Sequence, residues 1–274
     1  MTVNRAPSRV VSGLPTYTPD NPPVFRGGIT SGGAAYSPAD EFTGGKKGWL
    51  FDGSAGKSAF LQSAGGSVAG DGDPLGSVED LSGNGNDILQ ATGGAKPTNT
   101  VTGGINAISC ASSKYMGRTL ASAVSVYRTV VYVICIKATS PGEAYPLLMG
   151  SGGTFDSIFN QTPGVTTGSV TDNNAYIGPV SCDTANQPYI VIYKKYDDAG
   201  TKRVNVKVYR LSNGTLVDDE TYAAPSTNGV DLIDIGYPTP QPAFQIPFHM
   251  GIDGAPDLTN VLTYIYDNFA GWAP

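Results

Sequence analysis

The sequence predicts an all-β protein: one antiparallel two-sheet sandwich with an extended N-terminal arm and a short C-terminal helix. Three observations carry this. Gly (36) and Pro (20) are abundant while only 15% of residues are charged, the profile of short strands joined by tight turns. Residues 188–223 read as a three-strand meander. One amphipathic helical stripe follows the last strand-like run.

Residues 1–43 differ from the rest. Ala6-Pro7-Ser8, Leu14-Pro15, Asn21-Pro22-Pro23 and Gly27-Gly28 interrupt any periodic apolar pattern. Proline fixes φ and removes donors, so this segment is expected to be an extended arm. Arg5, Arg9 and Arg26 flank Asp20, making the arm mildly basic against an acidic body. These arginines are the candidate docking residues. An arm folded back on its own domain is the alternative.

The sandwich is assigned to residues 44–274. Gly48–Asp52, Ile88–Ala91 and Ile105–Ile108 are short strand candidates. Val124–Lys137 is dense in β-branched residues and predicts one strand buried on both faces. Tyr189–Tyr193 leads to a turn at Asp197–Gly200. Val204, Val206 and Val208 then alternate with polar residues, a strand with one face buried. Asn213-Gly214 is a strong hairpin turn, closed by Leu216–Tyr222. Val230–Gly236 and Phe244–Met250 complete the strands. Asp257 can cap a helix whose Leu258, Val261, Leu262, Ile265 and Phe269 form one stripe, ending near Gly271.

Several function classes find no support. A net charge of −6 and a pI near 4.7 give no basic footprint, so no nucleic-acid partner is expected. The longest apolar run, Val130–Ile136, is too short to span a bilayer, and residues 1–30 lack an apolar leader, so synthesis in the cytoplasm without membrane insertion is expected. Cys110, Cys135 and Cys182 match neither a zinc spacing nor a disulfide framework, and three unbridged thiols are expected.

In Asp80-Leu81-Ser82-Gly83-Asn84-Gly85-Asn86-Asp87, Asp80, Ser82 and Asn84 occupy calcium-loop positions one, three and five. The twelfth position is Ala91 rather than Glu, which favours a tight turn held by Asx bonds. Gly56-Lys57-Ser58 has Phe51 where a phosphate loop needs Gly, and Gly150-Ser151-Gly152-Gly153 lacks a βαβ context. The single histidine, His249, sits between Phe248 and Met250, a setting for a packed core residue. Glu41, Glu79, Glu143 and Glu220 are scattered, and Asp218-Asp219-Glu220 reads as a solvated strand face. No catalytic pair emerges, so neither enzymatic activity nor a cofactor is expected. Tyr176 and Tyr237, with Asp172, Asn173 and Asn174, lie in loops suited to stacking on and hydrogen bonding a sugar.

One stretch is distinctive as a whole. Phe42, Gly44-Gly45-Lys46-Lys47-Gly48-Trp49, Asp52, Phe60-Leu61-Gln62, the Asp80–Asn86 string, Gln90-Ala91-Thr92 and Lys96-Pro97 run in order. Residues 42–98 thereby resemble bacteriophage virion proteins that carry a concanavalin A-like, or laminin G-like, jelly-roll domain. The family often continues with acidic residues, where this chain reads Ile108–Tyr115. The resemblance implies a structural protein of a phage particle, such as a head decoration or cement protein or a tail-attached protein. Its expected partners are other virion proteins (a major capsid or tail protein) and copies of itself, a trimer being one option. It would be made in the host cytoplasm and reside in the virion. A glycan-binding receptor module contacting host-surface sugar is the alternative, and a glycan hydrolase ranks third.

Overall fold

The computed structural model describes residues 36–137, 144–151, 154–160, 167–182, 186–224, 226–238, 241 and 243–274. Arg5, Arg9 and Arg26 lie outside the described residues. After a 3-10 segment, Pro38–Gly45, come β1 (Gly48–Asp52), β2 (Phe60–Leu61), β3 (Ser77–Val78), β4 (Ile88–Leu89), β5 (Thr98–Thr102) and β6 (Ile105–Cys110). Then follow β7 (Tyr115–Val124), β8 (Arg128–Ile136), β9 (Ala144–Ser151), β10 (Thr154–Asn160), β11 (Thr167–Asp172) and β12 (Ala175–Ser181). The chain ends with β13 (Pro188–Asp198), β14 (Thr201–Arg210), β15 (Leu216–Ala223), β16 (Val230–Gly236), β17 (Phe244–Asp253) and α1 (Leu258–Phe269).

Two antiparallel sheets form the predicted sandwich. The first runs β15-β14-β13-β8-β17-β6-β5, with β1 also paired to β17; the second runs β12-β11-β10-β9-β16-β7-β4-β3-β2. Their inner faces meet through Val130, Tyr132, Ile134, Val191, Tyr193, Val204 and Val206 on one side and Met116, Leu147, Met149, Ile233 and Ile235 on the other. A third layer covers the first sheet. Val131, Val133, Ile190, Ile192, Phe248 and Met250 pack beneath Phe42 and Val261, Ile265, Phe269 and Trp272 of the helical layer. Burial on both faces explains why β8 and β13 read as unbroken apolar runs, whereas β14 shows alternation. Edges β12 and β15 meet where the Tyr222 hydroxyl donates to the Pro179 carbonyl.

Two local expectations are revised. The expected strand Val124–Lys137 breaks at 125–127, where the Asp253 carboxylate accepts the Ser125 N–H and the chain passes from one sheet to the other. Residues 36–43, expected within the extended arm, are folded onto the body. Ser37 and Asp40 form a capping box with Pro38 at the first position, a start signal that prolines elsewhere in the arm obscure. Glu41 accepts from the Tyr36 hydroxyl (3.2 Å) and from the Asp257 N–H (3.1 Å), which ties this segment to the cap of α1.

The inner core is organised around His249. The Trp49 indole N–H donates to His249 Nδ1 at 2.6 Å, and Trp49, Phe51 and Tyr132 stack about the imidazole with centroids 5.7–6.2 Å away. Gly251 is the floor for this indole: a Cβ there would lie 2.2 Å from the ring. Gly251→Ala should therefore destabilise by about 1–3 kcal/mol, read by denaturant unfolding. Burial pushes His249 down to about 3 from 6.5. Above pH 6.5 the ring is neutral folded and unfolded. Below it only the unfolded chain gains the proton, so stability should fall with pH between 6.5 and 3, at up to about 1.4 kcal/mol per pH unit from this group. His249→Gln should flatten that part of the profile.

Candidate functional site

The Asp80 string is a bolt between sheets. Asp80 Oδ1 accepts from Leu50 N (2.8 Å) and Ser82 N (2.9 Å), and Oδ2 from Asn86 N (2.8 Å) and Ser82 Oγ (2.7 Å). The Asn84 and Asn86 amides donate to the Gly48 carbonyl, and Asn86 Oδ1 accepts from Ala121 N at 3.0 Å. This ties β1 in the first sheet to β7 in the second. Gly83 and Gly85 supply the positive φ angles (80° and 68°) that the turn requires. At the other end of β1, Asp52 accepts from Ser54 and from the Tyr264 hydroxyl of α1. Burial and the Asp52 carboxylate push that hydroxyl upward. Among the described residues no three His, Cys, Asp or Glu side chains gather as a metal group, and no disulfide joins Cys110, Cys135 or Cys182.

A second constellation was not legible in the sequence analysis. Arg128 and Lys195 are direct register partners on β8 and β13. Asp156 and Asp172 stand one step beyond the Ser157–Thr171 pair of β10 and β11. All four side chains are buried between the sheets (0–6% exposed). Arg128 pairs with Asp156, and Lys195 with Asp172 and, at 3.4 Å, with Asp156. The Tyr193 hydroxyl and Asn173 N complete the Asp156 shell at 3.0 and 2.8 Å, and Ser226 N donates to Asp172 at 2.9 Å. Burial pushes Asp172 up, but the bonds from Lys195 and Ser226 outweigh it, and its carboxyl lies below the ordinary range. The signal was phase: Arg128 shares the inward parity of Val130 and Tyr132, and Lys195 that of Val191 and Tyr193.

Above this quartet the β11–β12 hairpin forms a polar rim. Asn173 and Asn174 take left-handed φ values of 56° and 65°, the conformation of a tight hairpin turn. Asn173 Oδ1 accepts from Asn228 Nδ2 (3.0 Å) and Asn174 Oδ1 from Phe155 N (2.9 Å). The two amides thus hold the rim together as well as line it. Tyr176, 62% exposed, follows two residues after Asn174 on β12. Tyr237 does not join this group. It follows the far end of β16, whose near end is tied to the rim by Asp231 and Ser151, and six extended residues place it roughly 20 Å away.

One acid on the second sheet stands apart. Ile233 and Ile235 face the core, so Asp234 faces outward, in register with Gly117 and Leu148. Its carboxylate occupies the space over Gly117, where a Cβ would lie 1.7 Å from Oδ1. Burial pushes it up to about 6. Nothing in the sequence distinguishes it, because Val230–Gly236 reads as a generic strand.

The quartet makes a direct prediction. Arg128→Met leaves Asp156 short of one cation in the interior and should cost about 3–5 kcal/mol. Adding Asp156→Leu rebalances the charge around Lys195 and Asp172 and should recover part of that loss, measured by urea unfolding.

No family model matches the chain, and no curated protein matches it in sequence. Solved structures do resemble it. An arabinofuranosidase complexed with arabinofuranosyl-alpha-1,2-xylobiose is 13% identical with a TM-score of 0.61, over 87% of this chain and 65% of that one. The botulinum neurotoxin serotype D binding domain is 11% identical with a TM-score of 0.52, over 69% and 49%. The serotype D ligand binding domain in complex with N-acetylneuraminic acid is 13% identical with a TM-score of 0.51, over 79% and 52%. The chain spans about half the length of those toxin domains. At such identities the likeness is one of fold: the chain is an antiparallel two-sheet β-sandwich.

Proposed function

We propose that this chain is a particle-borne recognition module: a structural protein of a bacteriophage virion whose sandwich binds carbohydrate at the β11–β12 rim and does not hydrolyse it. The observation that carries the binding half is the rim itself. An exposed tyrosine, Tyr176, follows the Asn173–Asn174 turn by two residues, and the Asn173 amide meets that of Asn228, so one hairpin end carries both a stacking face and polar hydrogen-bond groups suited to a sugar. Two of the comparison structures are complexes with arabinofuranosyl-alpha-1,2-xylobiose and with N-acetylneuraminic acid, which supports a glycan as the ligand class.

The virion half rests on the resemblance of residues 42–98, and the structure gives that motif a use. Phe42, Trp49, Asp52 and Asp80–Asn86 fix the 36–45 segment and β1 onto the body. Tyr36, the first described residue, packs in the helical layer beside α1, on the side of the first sheet away from the second. Tyr36 and the β11–β12 rim belong to different layers, which supports a module docked at one and facing outward at the other.

Against hydrolysis stands the fate of the acids. Asp52, Asp80, Asp156 and Asp172 are each held by internal donors, whereas glycosidases place two carboxyl groups across the sugar. Asp234, whose carboxyl burial pushes up to about 6, is the first acid to test for a hydrolytic role. Turnover of a polysaccharide by the purified chain, lost in Asp234→Asn, would overturn the non-catalytic reading.

Two outcomes are expected. On a glycan array the chain should retain host-surface sugars, and Tyr176→Ala should weaken the best of them about tenfold, or about 1.4 kcal/mol, with unchanged thermal unfolding. An array without hits contradicts the binding half. Removing residues 1–35 should leave a folded sandwich that no longer enters particles; normal incorporation contradicts the docking half.

A further inference from the structure

We propose that Lys195 and Asp172 react to form an intramolecular isopeptide bond, with Asp156 as the proton carrier, so that a covalent cross-link joins the two sheets. The four parts of such a reaction are in place. The nucleophile, Lys195 Nζ, lies against Asp172 Oδ1, and the two side chains are 0% and 1% exposed. The base, Asp156 Oδ2, is 3.4 Å from the same Nζ. An oxyanion donor, Ser226 N, binds the other oxygen of the target, Asp172 Oδ2, at 2.9 Å. Arg128, the Tyr193 hydroxyl and Asn173 N hold Asp156 in position.

The elements that carry these groups are rigid. Lys195 sits on β13 between the ladders to β8 and β14. Asp172 ends β11 where it turns into β12. Tyr193 and Val170, two residues before Lys195 and Asp172 on their strands, are buried at 0% exposure, and so is Val130, two residues beyond Arg128. A primary amine and a carboxyl group fixed in contact and shielded from water gain the full advantage of an intramolecular reaction, an effective concentration on the order of 10⁵ M or more. Moving one proton within this contact gives the neutral amine and acid from which the reaction starts.

The step balances without a co-reactant. The Lys195 ammonium gives one proton to the carboxylates, and its lone pair attacks Cγ of Asp172. The negative charge that develops on Oδ2 is met by the Ser226 N–H. Asp156 takes a second proton from the attacking nitrogen and delivers it to Oδ1, the Cγ–Oδ1 bond breaks, and Oδ1 leaves as water. Of the three ammonium protons, two depart in that water and one remains on the amide nitrogen. Asp156 ends as it began, and nothing is oxidised or reduced.

The test is the intact mass of the purified full-length chain under denaturing conditions. It should be one water lighter than the sequence requires, and a protease digest should contain a branched peptide joining the segments that bear Lys195 and Asp172. Lys195→Arg and Asp172→Ala should restore the full mass, and Asp156→Ala should restore it while leaving both reacting groups in the chain. A wild-type mass equal to the sequence mass overturns the proposal, whatever the variants do. So does a water loss that maps to an Asp-Gly step, such as Asp52-Gly53 or Asp253-Gly254, where an aspartate can cyclise on its own backbone. The measurement is independent of any glycan or particle.

Discussion

The fold depends on a charge constraint at one end of the sandwich. Each sheet, taken alone, places two like charges side by side: Arg128 opposite Lys195 in the first, Asp156 beside Asp172 in the second. Like charges directly across a ladder are destabilising. Brought together, the two pairs neutralise each other two against two, and the remaining lone pairs are filled by Tyr193, Asn173 and Ser226. Neither sheet is satisfied until the other is docked in the right register. A buried ionic cluster of this kind is weak evidence for added stability. Its use here is to specify how the sheets meet, and the rim hairpin inherits its position from that choice.

The opposite task, fastening β1, falls to the distinctive string of residues 42–98. Asp80 and the Asn84 and Asn86 amides bind Gly48 and Leu50, Trp49 reaches His249, and Asp52 reaches Tyr264 in the helix. The string is thus conspicuous in sequence because its polar side chains must meet backbone groups at fixed offsets. Such a pattern is a requirement of folding, and its identity to a ligand loop at three positions is a consequence of both using oxygen side chains around a glycine turn.

This division explains what could be read in advance. The meander from Tyr189 to Ala223, the capped helix after Asp257 and the two-faced burial of β8 were legible because periodicity and turn chemistry agree there. The four strands from Ala144 to Ser181 were not, since Gly, Ser and Thr dilute their alternation. The ion quartet escaped because a single Lys or Arg at the end of an apolar run reads as the run's solvated end. Only the partner strands reveal that Lys195 and Arg128 are still in the inward phase. Asn173 and Asn174 form one hairpin turn two residues before Tyr176, while Tyr237 needed the strand path to be separated from them.

The molecule therefore has a polarity: a helical layer where the N-terminal segment joins, and a second sheet ending in an aromatic and amide rim. The central claim is that the first attaches to a particle and the second faces outward. Electron cryomicroscopy of phage particles assembled in cells that produce this chain tests it directly. The account predicts density for the sandwich with α1 and the 36–45 segment toward the particle and the β11–β12 rim exposed. A sandwich docked through its second sheet, with the helical layer facing solvent, or particles that lack the chain altogether, would contradict it.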